Sequence, residues 1–82
     1  MEHFLAERYV PPSGKQALAG ELERIRSAAR SVPAIRLVES VYVPGDELCL
    51  YLFESDSAET VALLSRVAEL EMERIRRAEV GR

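Results

Sequence analysis

The chain has no tryptophan, one histidine and one cysteine among its 82 residues. The low numbers of cysteine and histidine limit the kinds of site that the protein can have. A single cysteine cannot form an internal disulfide, so the sequence favours a reducing compartment and predicts a cytoplasmic protein. The four glycines form no phosphate-binding pattern, which removes the sequence signature of a nucleotide-binding protein. One imidazole provides no set of histidine ligands, so the residues of any metal site stay unassigned.

The charge pattern and the lengths of the apolar runs exclude two further kinds of partner. Acidic and basic residues alternate to a net charge of -3, and no basic stripe predicts contact with the phosphates of nucleic acid. No apolar run approaches the ~20 residues that a membrane-spanning helix needs, and the N-terminus lacks the basic-then-apolar order of a signal peptide. We therefore expect neither nucleic acid nor a membrane as a partner.

The composition is that of one small globular domain covering residues 1–82. Apolar residues make up 48% of the chain and charged residues 30%, which is ordinary for a protein with a packed core. At this length only roughly 60–65% of the unfolded chain's surface is buried on folding, so the core is small. A partner that covers further apolar surface would stabilise such a domain.

The first part of the chain is predicted to form a strand followed by a helix. Residues 3–10 mix apolar and polar side chains as strands do, and two prolines end the run because they cannot donate to a sheet. Ser13 and Gln16 have the spacing of a capping box, and apolar residues then recur at helical spacing. We predict a helix over residues 14–31.

Two β-rich runs, residues 37–43 and 48–53, flank a Pro-Gly-Asp turn and predict a hairpin. If Gly45 and Asp46 are the central turn residues, Val41 faces Leu50 and Tyr42 faces Cys49. We predict that its aliphatic face packs under the helices and that its aromatic face is covered by a second subunit, because a sheet that is apolar on both faces must be covered on both. The aliphatic face consists of Leu37, Val41, Val43, Leu48, Leu50 and Leu52. The aromatic face consists of Val38, Ser40, Tyr42, Cys49, Tyr51 and Phe53.

The end of the chain permits two interpretations. Asp56, with Glu59 three residues later, is predicted to cap a second helix. Residues 58–77 contain no glycine or proline and favour one long helix, which gives the order βαββα. If the helix breaks near Glu69 instead, residues 72–80 form a last strand and the order is βαββαβ.

Three segments, residues 5–8, 39–54 and 73–75, resemble the small bacterial ferredoxin-like proteins of unknown function whose named member is a nickel-binding protein. The sharpest likeness is the V-P-x-D-E-x-C hairpin. The resemblance implies an α+β fold of the ferredoxin-like βαββαβ type, with an antiparallel four-stranded sheet and two helices on one face, and so favours the last strand. It also implies a homodimer of the dimeric α/β-barrel kind.

The chain departs from this family in two ways. Many relatives have glycine and proline where this chain has residues 68–72, and no set of metal-ligand histidines can be matched here. Nickel is therefore implied by the family resemblance only, and no cofactor is predicted.

The predicted site lies where the first strand meets the aromatic face of the hairpin. If Phe4, Ala6 and Val10 lie under the helices, the residues between them turn to the other face. Apolar walls with a few polar groups suit a small, partly aromatic ligand. The predicted ligand-binding residues are Glu7, Tyr9, Ser40, Tyr42, Cys49 and Tyr51.

Some of these residues have a chemical and a structural interpretation. In an enzyme, Glu7 would be a general base whose pKa is raised by burial, and Tyr51 would be the proton donor. The alternative for Glu7 is a carboxylate paired with an arginine at the rim of the sheet or across the dimer. Cys49, between two leucines, is interpreted as a small buried residue. His3 lies about 13 Å from Glu7 along the strand, so these two cannot chelate one ion alone.

Three functions remain open at this stage. The first is a homodimeric protein that binds a small molecule, with a metal as the other candidate ligand. The second is a cofactor-free dimeric α/β-barrel enzyme, such as a small monooxygenase or isomerase. The third is an interaction module without a cavity. Fold alone cannot choose among them, because ferredoxin-like folds host many unrelated activities.

Overall fold

A computed structural model describes residues 1–81 and shows a four-stranded antiparallel sheet with two helices on one face. The elements are β1 (Glu2–Tyr9), α1 (Leu18–Ser31), β2 (Ile35–Val43), β3 (Leu48–Ser55), α2 (Ala58–Val67) and β4 (Arg74–Ala78). The strand order is β2-β3-β1-β4, so β1 and β3 are central, as in the ferredoxin-like βαββαβ fold. The predicted α+β class and the final strand are confirmed. Neither helix within residues 1–81 has the length and apolar character needed to cross a bilayer.

The first helix begins later than its sequence suggests. Residues Pro12–Ala17 form 3-10 turns, and α1 follows them without a side-chain cap, so the predicted capping box of Ser13 and Gln16 does not form. The end of the helix at Ser31 is as predicted, since the following residue is extended and precedes a proline.

The second helix is capped one residue later than predicted. The Ser57 side chain, rather than that of Asp56, accepts a hydrogen bond from the backbone N–H of Thr60 at 3.2 Å. Such a bond satisfies one of the amide groups that have no partner within the helix.

The helix α2 ends without glycine or proline. Glu69 takes a left-handed conformation with φ of 57°, and the N–H of Leu70 donates to the carbonyl of Ser65 at 2.9 Å. From α1, the Arg24 side chain donates to the carbonyls of Ala68 and Glu69 at 3.0 and 2.7 Å. These bonds satisfy carbonyl groups at the end of the helix. Tertiary contacts therefore override the helix propensity of this segment and free the chain to form β4.

The two faces of the hairpin are exchanged relative to the prediction. The aromatic side lies under the helices, where Cys49, Tyr51 and Phe53 are no more than 4% exposed. The leucines of β3 face the other way and are only partly buried. Strand pairing gives the reason, because Phe4 and Ala6 of β1 are buried and lie opposite Phe53 and Tyr51. The predicted partner-facing aromatic surface is therefore part of the core.

A β-bulge explains one further difference in the hairpin. The pairs Val41–Leu50 and Tyr42–Cys49 have the predicted register, but the register shifts between Leu37 and Glu39. Leu37 consequently lies opposite Phe53 and turns to the helix side, instead of joining the other aliphatic residues.

Candidate functional site

The predicted cleft is divided between the two faces of the sheet. Tyr51 lies opposite Ala6 on the helix side, whereas Glu7 lies opposite Leu50 on the side that neither helix covers, which we call the open face. Successive residues of a strand point to opposite faces, so Glu7 and Tyr51 cannot act on one molecule within a single chain. The prediction of one cleft was wrong. Glu7 and Tyr9 lie on the open face, and Ser40, Tyr42, Cys49 and Tyr51 lie on the helix side.

These last four residues do come together, in a small cavity under the start of α1 that we call the helix-side pocket. Its volume is about 130 Å³. Apolar cavities of ~150 Å³ hold molecules as small as benzene, so the pocket suits a compact ligand. Its walls include Leu18, Ala19 and Leu22 of α1 together with Ser40, Tyr42, Cys49 and Tyr51.

The hydroxyl group of Tyr51 is the unusual polar group of this pocket. Tyr51 is 1% exposed, and its hydroxyl has no hydrogen-bond partner among residues 1–81. Burial, and secondarily the neighbouring Cys49 thiol, raises the pKa of Tyr51, so the phenol stays protonated. The thiol is close but does not reach hydrogen-bond geometry with it. A buried hydroxyl without a partner costs roughly 1–3 kcal/mol, and a ligand that accepts its hydrogen bond would recover part of this.

The other polar side chains of the pocket are less available. The Tyr42 hydroxyl donates to the carbonyl of Val10 at 3.1 Å. Burial raises the pKa of the Cys49 thiol, which is 4% exposed. The interpretation of Cys49 as a small buried residue is confirmed, because a neutral buried thiol is a poor nucleophile.

Sequence reasoning missed an ion pair next to the pocket. The Arg8 guanidinium donates from Nη2 and Nε to the two carboxylate oxygens of Glu21 at 2.8 and 3.4 Å, and their side chains are 22% and 11% exposed. The hydrogen bond to Glu21 raises the pKa of Arg8. Arg8 is also the cross-strand neighbour of Cys49. The sequence did contain a signal for this pair. Phe4, Ala6 and Arg8 alternate along β1 and so share the face that packs under the helices, where a buried arginine needs an acidic partner.

On the open face, Glu7 is held by two arginines of β4. Its Oε2 atom accepts a hydrogen bond from Arg74 Nε at 2.9 Å and lies 2.8 Å from an Nη atom of Arg76. The hydrogen bond from Arg74 is the main cause that lowers the pKa of Glu7, although burial acts in the opposite direction. The raised pKa expected of a general base was therefore wrong. The alternative, an arginine pair at the rim of the sheet, describes what is found.

The open face has an apolar centre and charged edges. One row of cross-strand neighbours runs from acidic Glu39 on β2, through Leu52 and Leu5, to basic Arg76 on β4. The exposed Val41 belongs to the next row. Tyr9 is exposed at one end of the face, where the Glu47 carboxylate accepts its hydroxyl hydrogen bond.

The histidine also lies on this face. His3 Nε2 is 3.8 Å from Glu54 Oε2 and has no hydrogen-bond partner among residues 1–81. Within the same residues, no three His, Cys, Asp or Glu side chains are grouped closely enough to hold a metal ion. Cys49 cannot add to this pair because it lies on the helix side.

The fold and its two faces define a small ferredoxin-like α+β protein. No model of a protein family matches the chain, and no curated protein sequence matches it. Among solved structures, it is similar to the crystal structure of SCO4226 from Streptomyces coelicolor A3(2), with a TM-score of 0.80 and 16% sequence identity. The match covers 98% of this chain and 99% of the other. At this identity the similarity shows the fold alone.

Proposed function

We propose that the protein is a homodimer that binds a compact, uncharged molecule in the helix-side pocket. The observation that carries this proposal is the Tyr51 hydroxyl, which is buried without a partner among residues 1–81 and belongs to a side chain that lines an apolar pocket of about 130 Å³. The matching ligand has roughly the size of benzene and one oxygen that accepts a hydrogen bond. A charged ligand is disfavoured, because burying an ion among apolar walls is costly.

The ligand proposal is tested by titrating the 15N-labelled protein with cyclohexanone. We expect saturable shifts of the amide signals around Leu22, Ser40 and Tyr51, and an affinity about tenfold weaker in Tyr51→Phe. Tyr9→Phe is the matched control, because Tyr9 is exposed on the other face, and it should bind as the wild type does. Absence of saturable shifts, or equal binding by Tyr51→Phe, would contradict the proposal. The interaction module and the metal site considered below would then be the remaining hypotheses.

The open face supplies the proposed dimer surface. Four strands ~4.8 Å apart and roughly seven residues long give a footprint of roughly 450 Å² per copy, or about 900 Å² for both copies, which is the size of a weak or transient interface. A twofold axis parallel to the strands would place the β4 edge of one copy over the β2 edge of the other. Each row of one copy then faces the same row of the other copy in the opposite order. Arg76 lies over Glu39, and Leu5 lies over Leu52. This charge complementarity favours a second copy as the partner.

Light scattering after size exclusion tests the dimer across micromolar concentrations. Val41→Lys puts a charge on the β2 edge of the open face, beside Leu50, and should shift the protein to monomer. Leu63→Lys is the matched control, since Leu63 is similarly exposed but lies on α2. Glu39→Arg should weaken the dimer more than Glu39→Gln, because it places like charges together. A wild-type monomer at these concentrations would refute the dimer.

An enzyme that uses Glu7 and Tyr51 within one chain has no support in this geometry. Metal binding is the second candidate, and the uncommitted His3 Nε2 beside Glu54 favours it. In the twofold arrangement, His3 of one copy meets Glu54 of the other, so two imidazoles and two carboxylates would hold one ion, with ligands suited to nickel or zinc. Calorimetry with nickel should show about one ion per dimer and no binding by His3→Ala. Binding by a monomeric Val41→Lys variant would contradict this shared site.

We also propose a cytoplasmic location. The lone cysteine is buried, so it is sheltered from pairing with a second chain. A small domain without disulfides is typical of reducing compartments. Fractionation of cells that produce the native protein would test this.

A further inference from the structure

A second cavity, of about 370 Å³, lies between α1 and the edge strand β2. We call it the arginine groove, because Arg26, Arg30 and Arg36 line it beside apolar Ile35, Leu37 and Val38. Its volume falls within the ~300–1,000 Å³ typical of small-molecule sites. The groove therefore combines room for a ligand, apolar surface and positive charge.

Two backbone irregularities lie beside and within the strand segment that lines this groove. Ala34, directly before β2, has a left-handed φ of 64°, which is a strained conformation for a residue with a Cβ atom. The β-bulge between Leu37 and Glu39 then changes which way the strand's side chains turn. Strained residues and bulges are concentrated at binding sites, so both features favour a functional groove over a solvated surface.

The arginines differ in how firmly they are already paired. Arg26 and Arg36 contact exposed or half-exposed carboxylates of Glu23 and Glu54 at 3.1 and 3.5 Å, and such surface pairs are weak. Arg30, one turn after Arg26 on α1, forms no ion pair among residues 1–81. Arg30 is thus the guanidinium most available to an incoming anion.

We propose that the arginine groove binds a monocarboxylate with an apolar body on the order of ten non-hydrogen atoms. Arg30 binds the carboxylate through paired N–H donors, since a guanidinium matches this group geometrically. The apolar body packs against Leu37 and Val38. Arg26 and Arg36 already contact Glu23 and Glu54, so the groove offers one guanidinium without an ion pair among residues 1–81 and suits a ligand with a single acidic group.

The test compares hexanoate with hexanamide, which has the same chain and no charge, by titration of the 15N-labelled full-length protein. We expect saturable amide shifts in residues 26–40 with hexanoate and at least tenfold weaker binding of hexanamide. Arg30→Gln should weaken hexanoate binding about tenfold. The hexanoate affinity of Arg30→Lys should lie between those of the wild type and Arg30→Gln, because lysine keeps the charge but loses the paired donors. Arg66→Gln, an exposed arginine of α2, is the control and should bind normally.

Three results would overturn the proposal. They are equal binding of hexanamide and hexanoate, unchanged binding by Arg30→Gln, and shifts confined to the helix-side pocket. Because Arg30 is exposed, its substitution leaves the core intact, and the thermal unfolding midpoint of each variant verifies this.

Discussion

Replacing Tyr51 with phenylalanine should stabilise the ligand-free protein, although buried Tyr→Phe substitutions usually destabilise. The hydroxyl is buried without a partner, so removing it relieves a penalty of roughly 1–3 kcal/mol. The small void left by the oxygen offsets part of this gain, and we expect a net stabilisation of about 1 kcal/mol. For a domain of this size, that raises the unfolding midpoint by about 4–8 °C. Differential scanning calorimetry measures the change.

Tyr42→Phe is the matched control in this experiment, because Tyr42 lines the same pocket but its hydroxyl donates to the Val10 carbonyl. Loss of that bond should destabilise the protein by about 1 kcal/mol, so the two Tyr→Phe substitutions should have opposite signs. If Tyr51→Phe lowers the midpoint as much as Tyr42→Phe does, the Tyr51 hydroxyl has a partner in solution. The argument for a ligand acceptor would then fail.

Three further predictions concern the ionisable groups. The pKa of Glu7 is lowered from its ordinary 4.5, so its arginine contacts stabilise the fold above the unfolded-state pKa and are lost as pH falls through the folded-state pKa. Glu7→Gln should cost up to about 1 kcal/mol at pH 7. Melting curves of the variant should converge with those of the wild type once the pH has fallen through the lowered folded-state pKa of Glu7. Glu21→Gln leaves Arg8 half-buried without its carboxylate and should lower the free energy of unfolding, measured in urea, by about 1–3 kcal/mol. Glu23→Gln, on the exposed side of the same helix, should lower it by less than about 0.5 kcal/mol. The Cys49 thiol should react with a disulfide reagent only after unfolding in urea, and rapid reaction of the native protein would contradict its burial.

The sequence was sufficient for the order of the elements from β1 to α2 and for most of the hairpin register, because both depend on local signals. Proline positions mark the ends of β1 and α1, and the Pro-Gly-Asp turn sets the pairing of Val41 with Leu50. The end of α2 depended on something non-local. Arg24, far away in sequence, donates to the carbonyls of Ala68 and Glu69 and so supports the left-handed turn in which Glu69 takes the position usually occupied by glycine. Propensity along residues 58–77 contains no trace of that contact.

The assignment of faces failed because it needed the pairing of β1 with β3, which no turn connects. A shift of one residue in that pairing would place Ala6 opposite Leu50 instead of Tyr51 and would exchange both faces of the hairpin. The inward position of Arg8 offered a clue, because an arginine there requires an acidic partner on α1, and Glu21 lies on the buried side of that helix. That clue, however, determines only which face of β1 turns toward α1, and it says nothing about how β1 pairs with β3.

The pairing of β1 with β3 also decides which chemistry the protein can host. It seals the thiol and the Tyr51 phenol under α1, in a pocket that can bind but has no base of its own, because the Glu21 carboxylate is already committed to Arg8. It turns Glu7 outward, where Arg74 and Arg76 keep it ionised among leucines. A carboxylate held this way contributes to charge complementarity better than to proton transfer, since a base must be able to accept a proton near neutral pH. We therefore propose the open face as the surface for a second copy and the opposite side of the sheet as the place for a small molecule.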